Sequence, residues 1–240
     1  MRSMATKCFF FCYRALRFLA LRLLPRTLID PRRAANMLLR RYAPEFSGDI
    51  VNVSGWDDRD GEGGYYRDYF TNKKRYVVTN APTDIKGVGS MAGSAVLEFG
   101  LDLERPLPPE FAGKFDVVLN ISTLEHVQNI EEAFKSICMM SRDALVVVIP
   151  SIQQIHIADY GDYWRLTPLG LAKLLQKNGF TPLVIKANDQ PFNPIYTFAL
   201  GVRDAEKYKE KIPTAIDLQM GAALFGSSLK ERFVAQLLKQ

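Results

Sequence analysis

Cysteine is scarce in this 240-residue chain, with only Cys8, Cys12 and Cys138. Three thiols make no framework of paired bridges, which points to the reducing cytoplasm. Histidine is scarcer: His126 and His156 are the only two, both far from the paired Cys8 and Cys12, so no metal-ligand spacing forms and no metal is expected. No apolar run has the length and freedom from charge of a membrane span. The best candidate, residues 8–24, is short and carries Arg14, Arg17 and Arg22. Those arginines also interrupt what would be the apolar region of a signal peptide, and no convincing small-residue cleavage site follows. The dinucleotide fingerprint G-x-G-x-x-G is missing, because Gly55, Gly61, Gly63 and Gly64 have the wrong spacing. Asp58-Arg-Asp-Gly61 matches the middle of a calcium-binding EF-hand loop, but Trp56 stands at its first ligand position and Arg67 at its last.

What the chain has is enough apolar residue, 48%, for one α/β domain plus an appendage. Its net charge of +5 is unevenly placed. Residues 1–48 hold ten basic residues against two acidic ones, while the remainder holds 21 against 24. The composition therefore divides into a basic N-terminal helical segment, 1–48, and a domain, 49–240. A nucleic-acid-binding face on the domain is disfavoured, because neutralising phosphates needs basic surface there. Lys7, Arg14, Arg17 and Arg22 fall within an arc of about 140° on a helix, although Phe11 and Phe18 share it. Two readings stand for this helix: packing of its apolar side on the domain, or peripheral contact with an anionic membrane. Pro25 and Pro31 end it, and a second basic helix, about Arg32 to Tyr42, leads to a boundary at Pro44 and Gly48.

The domain is organised around Lys114 to His126. Val117, Val118 and Leu119 read as a strand buried on both faces, hence central in a parallel sheet. The polar residues Asn120, Ser122, Thr123, Glu125 and His126 follow it, at the strand end where such sheets bind ligands. Before it, strands are expected at Asp49–Val53, Tyr76–Asn80 and Val96–Leu103. After it come a helix at Asn129–Met140, a strand at Ala144–Ile149 ending at Pro150, and a helix at Pro168–Asn178 with Thr167 as its cap. Two last strands, Leu183–Ala187 and Tyr196–Val202, are too closely joined for a helical crossover and should pair antiparallel. The tail from about Lys207 has helical patches. The acidic loop Asp57–Gly64 reads either as solvated or as a binding loop. The fold class is α/β: a doubly wound, mostly parallel seven-stranded sheet with a terminal antiparallel hairpin.

Three pieces of sequence carry a resemblance: Gly113-Lys-Phe-Asp-Val-Val-Leu-Asn-Ile-Ser-Thr-Leu-Glu-His126, then Val148-Ile-Pro150, then Gly161-Asp-Tyr-Trp-Arg-Leu-Thr-Pro168 with Gly179-Phe180 after its helix. From about Asp49 to Val202 the chain resembles class I S-adenosylmethionine-dependent methyltransferases, and within them small methyltransferases encoded among bacterial glycan-biosynthesis genes. The resemblance implies S-adenosylmethionine as cofactor. It implies that Ser54, Gly55 and Trp56 form the loop under the methionine part, that Asn80 faces the ribose, and that Asp102 and Leu103 flank adenine. Asn120, Ile121 and Ser122 would line the sulfonium side. The family usually has two or three glycines in the first loop and an acid in place of Asn80.

The expected chemistry is in-line methyl transfer to a hydroxyl of a glycan or other small acceptor. Such a reaction needs alignment and a base for the acceptor's proton. His156 is the expected base, because its loop faces the acceptor, with His126 either a second candidate or a helix-cap residue. Asp159, Asp162, Tyr163 and Arg165 are expected to bind acceptor hydroxyls, with Arg165 alternatively in a structural ion pair and Trp164 in the core. Against the enzyme stand two other readings: a methyltransferase-like scaffold without catalysis, and a peripheral membrane adaptor working through the N-terminal helix.

Overall fold

The computed structural model describes residues 8, 11–16, 19, 30–81, 97–155, 161–188 and 194–218. Eight strands form one sheet: β1 (Ser47–Val53), β2 (Asn72–Asn80), β3 (Leu97–Gly100), β4 (Phe115–Ile121), β5 (Ser141–Ile152), β6 (Thr181–Ala187), β7 (Ile195–Val202) and β8 (Ala215–Ile216). Their order across the sheet is β3-β2-β1-β4-β5-β7-β6-β8. β1 to β5 run parallel, with Val51 opposite Val118 and Val118 opposite Leu145. β7 enters antiparallel between β5 and β6. The antiparallel hairpin expected from the short 188–195 connection is therefore present. The eighth strand was not expected: β8 is two residues long, lies parallel to β6, and stands in the tail read as helical.

Successive side chains of a strand point to opposite faces, so a strand apolar at every position needs cover on both sides. Val118, Leu145, Val147 and Ile149 pack on one face with Phe134 and Ile137 of α2 (Ile130–Met140) and Leu171 and Leu175 of α3 (Pro168–Lys177). Val117, Leu119, Val146 and Val148 pack on the other with Ala35, Leu39 and Tyr42 of α1 (Pro31–Tyr42) and with Phe198 and Leu200 of β7. The helices start where capping chemistry allows. The Asp30 carboxylate accepts from the Arg32 amide at 3.0 Å, Asn129 accepts from Glu132, and Thr167 accepts from Gly170 at 3.1 Å.

β5 runs past the expected end at Pro150. The proline sits opposite Tyr196 of β7, and its carbonyl accepts from the Leu166 amide. In a strand the nitrogen and carbonyl of one residue point to the same side, so the missing N–H of Pro150 falls on the β4 side. β4 has already ended there, its last partner pair being Ile121 and Val148, so no ladder bond is lost.

Candidate functional site

The site is built where β1 and β4 end side by side. Among the described residues four that are not glycine take positive φ: Ser54 (57°), Trp56 (51°), Asp58 (65°) and Ser122 (51°). All four follow the carboxyl ends of these two neighbouring strands. Each such residue costs on the order of 1–2 kcal/mol, so surrounding structure must hold it.

The β1 loop is held by hydrogen bonds. Asn80, buried at the end of β2, accepts from the Trp56 amide at 2.7 Å and donates to the Trp56 carbonyl at 3.0 Å. Each end of its amide thus makes one bond to the loop backbone, which ties Asn80 to the loop after β1. Packing requires a glycine at 55. A Cβ there would lie 2.4 Å from Asn52 Nδ2, so the protein's own interior fills the space beside it. Beyond Trp56, which is exposed, the acidic loop turns inward. Asp58 accepts from Asn52 (2.9 Å), Tyr76 (2.7 Å), and the amide and Nε of Arg67 (3.1 and 3.0 Å). Asp60 accepts from the amides of Glu62 and Gly64, from Tyr69 at 2.6 Å and from Arg40 of α1 at 3.0 Å. Burial opposes the charge on Asp60, but those hydrogen bonds outweigh it and hold the carboxyl down at about 2. The solvated reading of this loop is overturned.

At the end of β4, Asn120 is buried and donates to the Val53 carbonyl at 3.0 Å, tying the two strand ends together. Its Oδ1 has no hydrogen-bond partner, nor has Ser122 Oγ. Buried polar atoms are normally paired, so two orphans beside two left-handed loops need an explanation. Ile121 is partly buried, packed against the face that carries α1.

The β3 side is more occupied than expected. Asp102 accepts from the Glu104 amide at 2.9 Å and pairs with Arg105 at 3.1 Å, and Leu103 is buried in the core with Phe111. Leu103 is therefore packing rather than an open wall for adenine.

The 3-10 turn Leu124–His126 brings the first and third resembling pieces together. The Glu125 carbonyl accepts from the amides of Tyr163 (2.7 Å) and Trp164 (3.3 Å). Trp164 Nε1 donates to the Val127 carbonyl at 2.8 Å. His126 Nδ1 lies 2.7 Å from the Gly161 carbonyl. A carbonyl only accepts, so Nδ1 carries the proton in that contact. Asp162 and Arg165 form a two-pronged ion pair at 2.5 and 2.6 Å, with the Asp162 side chain wholly buried. This is the structural ion pair that stood as the alternative for Arg165, and it engages Asp162 as well. Of the expected acceptor contacts, Tyr163 alone among the described residues is exposed, with its hydroxyl accepting from Gln128. His156 and Asp159 lie outside the described residues.

Glu125, to which the resemblance assigns no role, is the most unusual group of the site. Its side chain is 1% exposed, and its Oε2 has no partner. Desolvation pushes the carboxyl up to about 8, with Asp162 adding to the rise; its own backbone N–H, Arg165 and Arg32 oppose it. Tyr196 of β7 is raised by burial and then by the charge of Glu125, and Gln153, with an orphaned Oε1, hydrogen-bonds to it. The visible signal was a carboxylate following a buried strand.

No protein-family model and no curated protein sequence matches the chain. Solved structures do. A chain from the complex between the Haloferax volcanii Trm112 methyltransferase activator and a putative methyltransferase superposes with a TM-score of 0.52 at 8% identity, over 74% of this chain and 92% of that one. A putative methyltransferase from Bacillus halodurans gives 0.49 at 12%, over 70% and 98%. The 1,6-didemethyltoxoflavin-N1-methyltransferase of Burkholderia thailandensis, solved with S-adenosylhomocysteine, gives 0.48 at 14%, over 72% and 78%. At these identities the likeness is one of fold. The protein has the α/β Rossmann-like fold of class I S-adenosylmethionine-dependent methyltransferases, with its mostly parallel sheet and antiparallel part.

Proposed function

We propose that the protein is an S-adenosylmethionine-dependent methyltransferase acting on a hydroxyl of a small acceptor, a glycan among them. The observation that carries this reading is the pairing of orphaned buried oxygens, Asn120 Oδ1 and Ser122 Oγ, with left-handed backbone at the ends of β1 and β4. These atoms fit a ligand that brings N–H or O–H donors, as the ammonium and hydroxyls of S-adenosylmethionine do. Asn120, Ser122 and the backbone of Ser54–Trp56 would hold it. Bound there, the cofactor supplies a methyl group on a cationic sulfur. The chain's own residues fix the loop through Asn80 and lock the two strand ends together through Asn120. They also clamp the 161–164 segment beside His126. Orientation of this kind contributes several kcal/mol to a displacement reaction.

Calorimetric titration with S-adenosylmethionine and S-adenosylhomocysteine tests the reading. Micromolar binding that weakens several-fold in Ser122→Gly, which keeps the backbone angle and removes the hydroxyl, supports it. A folded protein that binds neither at millimolar concentration overturns it. That outcome favours the catalytically inactive scaffold, whose support is that Asn80 is spent on Trp56 and the space beside Gly55 is filled by Asn52.

Residues 8–24 we read as a peripheral contact with anionic membrane. Phe11 and Leu16, at helical positions, are 74% and 68% exposed, in a segment of strongly basic balance. Among the described residues no helix is long and apolar enough to cross a membrane. Flotation with phosphatidylserine vesicles, lost on deleting residues 1–24, is the expected result; equal flotation of both chains refutes the contact.

A further inference from the structure

We propose that Glu125 takes the proton of the methyl acceptor, on its unpartnered Oε2. The inference rests on the methyltransferase reading and assigns the acceptor side of the same site. Glu125 stands one turn beyond the orphaned Ser122 at the end of β4, where the ligand edge of the sheet lies. Its backbone carbonyl accepts from the Tyr163 and Trp164 amides, so the side chain leaves a main chain held to the segment before α3. Gln153 Oε1, a second acceptor oxygen without a partner, belongs to the same cluster through Tyr196 and through Arg165, whose Nε donates to the Gln153 carbonyl at 3.5 Å. Once Glu125 is ionised, two acceptor oxygens stand open in one buried cluster and call for a ligand group that carries donors, such as a hydroxyl beside a second hydroxyl.

Among the described residues, the charged and titratable groups facing Glu125 come from four elements. They are Asp162 and Arg165 of the segment before α3, Arg32 of α1, Tyr196 of β7 and His126 of its own turn. Asp162 and Arg165 neutralise each other in their fork, so neither supplies a committed counter-ion. His126 Nε2 lies 3.8 Å from Glu125 Oε1, beyond hydrogen-bond distance, and its side chain is 16% exposed.

In the step itself the acceptor's O–H bond breaks and its proton goes to Glu125 carboxylate. The acceptor oxygen bonds the methyl carbon as the carbon–sulfur bond breaks, and that electron pair stays on sulfur. The products are a methyl ether and S-adenosylhomocysteine, and Glu125 returns its proton to water. The carboxyl must be ionised beforehand. Burial keeps it protonated near neutral pH, and a cation placed close by favours the ionised form. A cationic sulfonium held beside Asn120 and Ser122 would do this, and the neutral sulfur of S-adenosylhomocysteine would not.

The test needs no acceptor. The full chain and its Glu125→Gln variant are titrated with S-adenosylmethionine and with S-adenosylhomocysteine at pH 7, in buffers of low and high ionisation enthalpy. The ligands' own amino groups titrate alike in both proteins, so the difference between proteins isolates the carboxyl. The wild type is expected to release roughly half a proton or more on binding S-adenosylmethionine beyond that released with S-adenosylhomocysteine, and Glu125→Gln is expected to lose this excess. Equal proton counts in the two proteins, with both ligands bound, overturn the role of Glu125 and leave the methyltransferase reading intact. Absence of binding by the folded wild type overturns both. Should Glu125→Gln fail to fold, the infrared difference spectrum of the wild type decides: the protonated carboxyl band must be weaker with S-adenosylmethionine than with S-adenosylhomocysteine, and an unchanged band refutes the assignment.

Discussion

Replacing Glu125 by glutamine is expected to change how stability depends on pH, in the direction opposite to most carboxylates. The group titrates at about 8 in the folded chain against an ordinary 4.5. Between those values the native state keeps a proton that the unfolded chain gives up. The slope of unfolding free energy with pH follows protons bound by the unfolded state minus those bound by the native state, so it is negative here. The stabilising neutral form is fully present below pH 4.5, and its contribution falls as pH rises, levelling off above 8. At about 1.4 kcal/mol per pH unit the ceiling across the window is roughly 5 kcal/mol, and partial relaxation of the site brings the expected figure to a few. Glutamine has the shape of the protonated acid and no proton to lose. Urea denaturation of both proteins from pH 4.5 to 8 measures the effect, and every other titrating group cancels in the difference. The variant should gain on the wild type by a few kcal/mol over that range. Parallel curves would show that Glu125 is ionised in the resting protein and would remove the physical basis for its special role.

Three further outcomes follow from the site. Asn80→Asp keeps the acceptor for the Trp56 amide but sets a carboxylate against the Trp56 carbonyl, so it should cost about 1–3 kcal/mol and shift Trp56 fluorescence without tightening cofactor binding. A gain in affinity would show that position 80 faces a ribose after all. Gly55→Ala should cost about 1–3 kcal/mol by overpacking Asn52, and less in an Asn52→Ala background; additivity of the two changes in a double-mutant cycle would refute the contact. Asp162→Asn should destabilise by about 3 kcal/mol, because it leaves the partly buried Arg165 without its fork, and thermal unfolding that is unchanged would refute that account.

The architecture was legible because it follows from runs of apolar residues and from short-range signals. Val117–Leu119 had to be buried on both faces, Thr167-Pro168 had to start a helix, and the 188–195 connection was too short for a crossover. β8 escaped because two residues carry no period. The extension of β5 through Pro150 escaped because it depends on where β4 stops. The site was legible as a location and much less so as chemistry. Asp58 and Asp60 looked solvated because their partners, Arg40, Arg67, Tyr69 and Tyr76, come from α1, β2 and the turn before it. Asn80 looked free because its bonds are to loop backbone, which has no sequence signature. Glu125 and His126 were in view from the start, but which one is unusual is decided by burial.

The reach of α1 into the β1 loop sets a limit on dissection. Arg40 and Asn36 are bonded to Asp60, through its carboxylate and its backbone carbonyl, and both also hold Glu62. A protein trimmed to begin at Asp49, where the basic composition ends, would keep every strand from β2 onward and still lose these bonds. Asp60 would lose the Arg40 cation, and the face of β4 and β5 that packs with Leu39 and Tyr42 would be uncovered. A proteolytic nick ahead of Asp30 and one behind Tyr42 should therefore have different consequences: the first leaves this latch in place, and the second removes it.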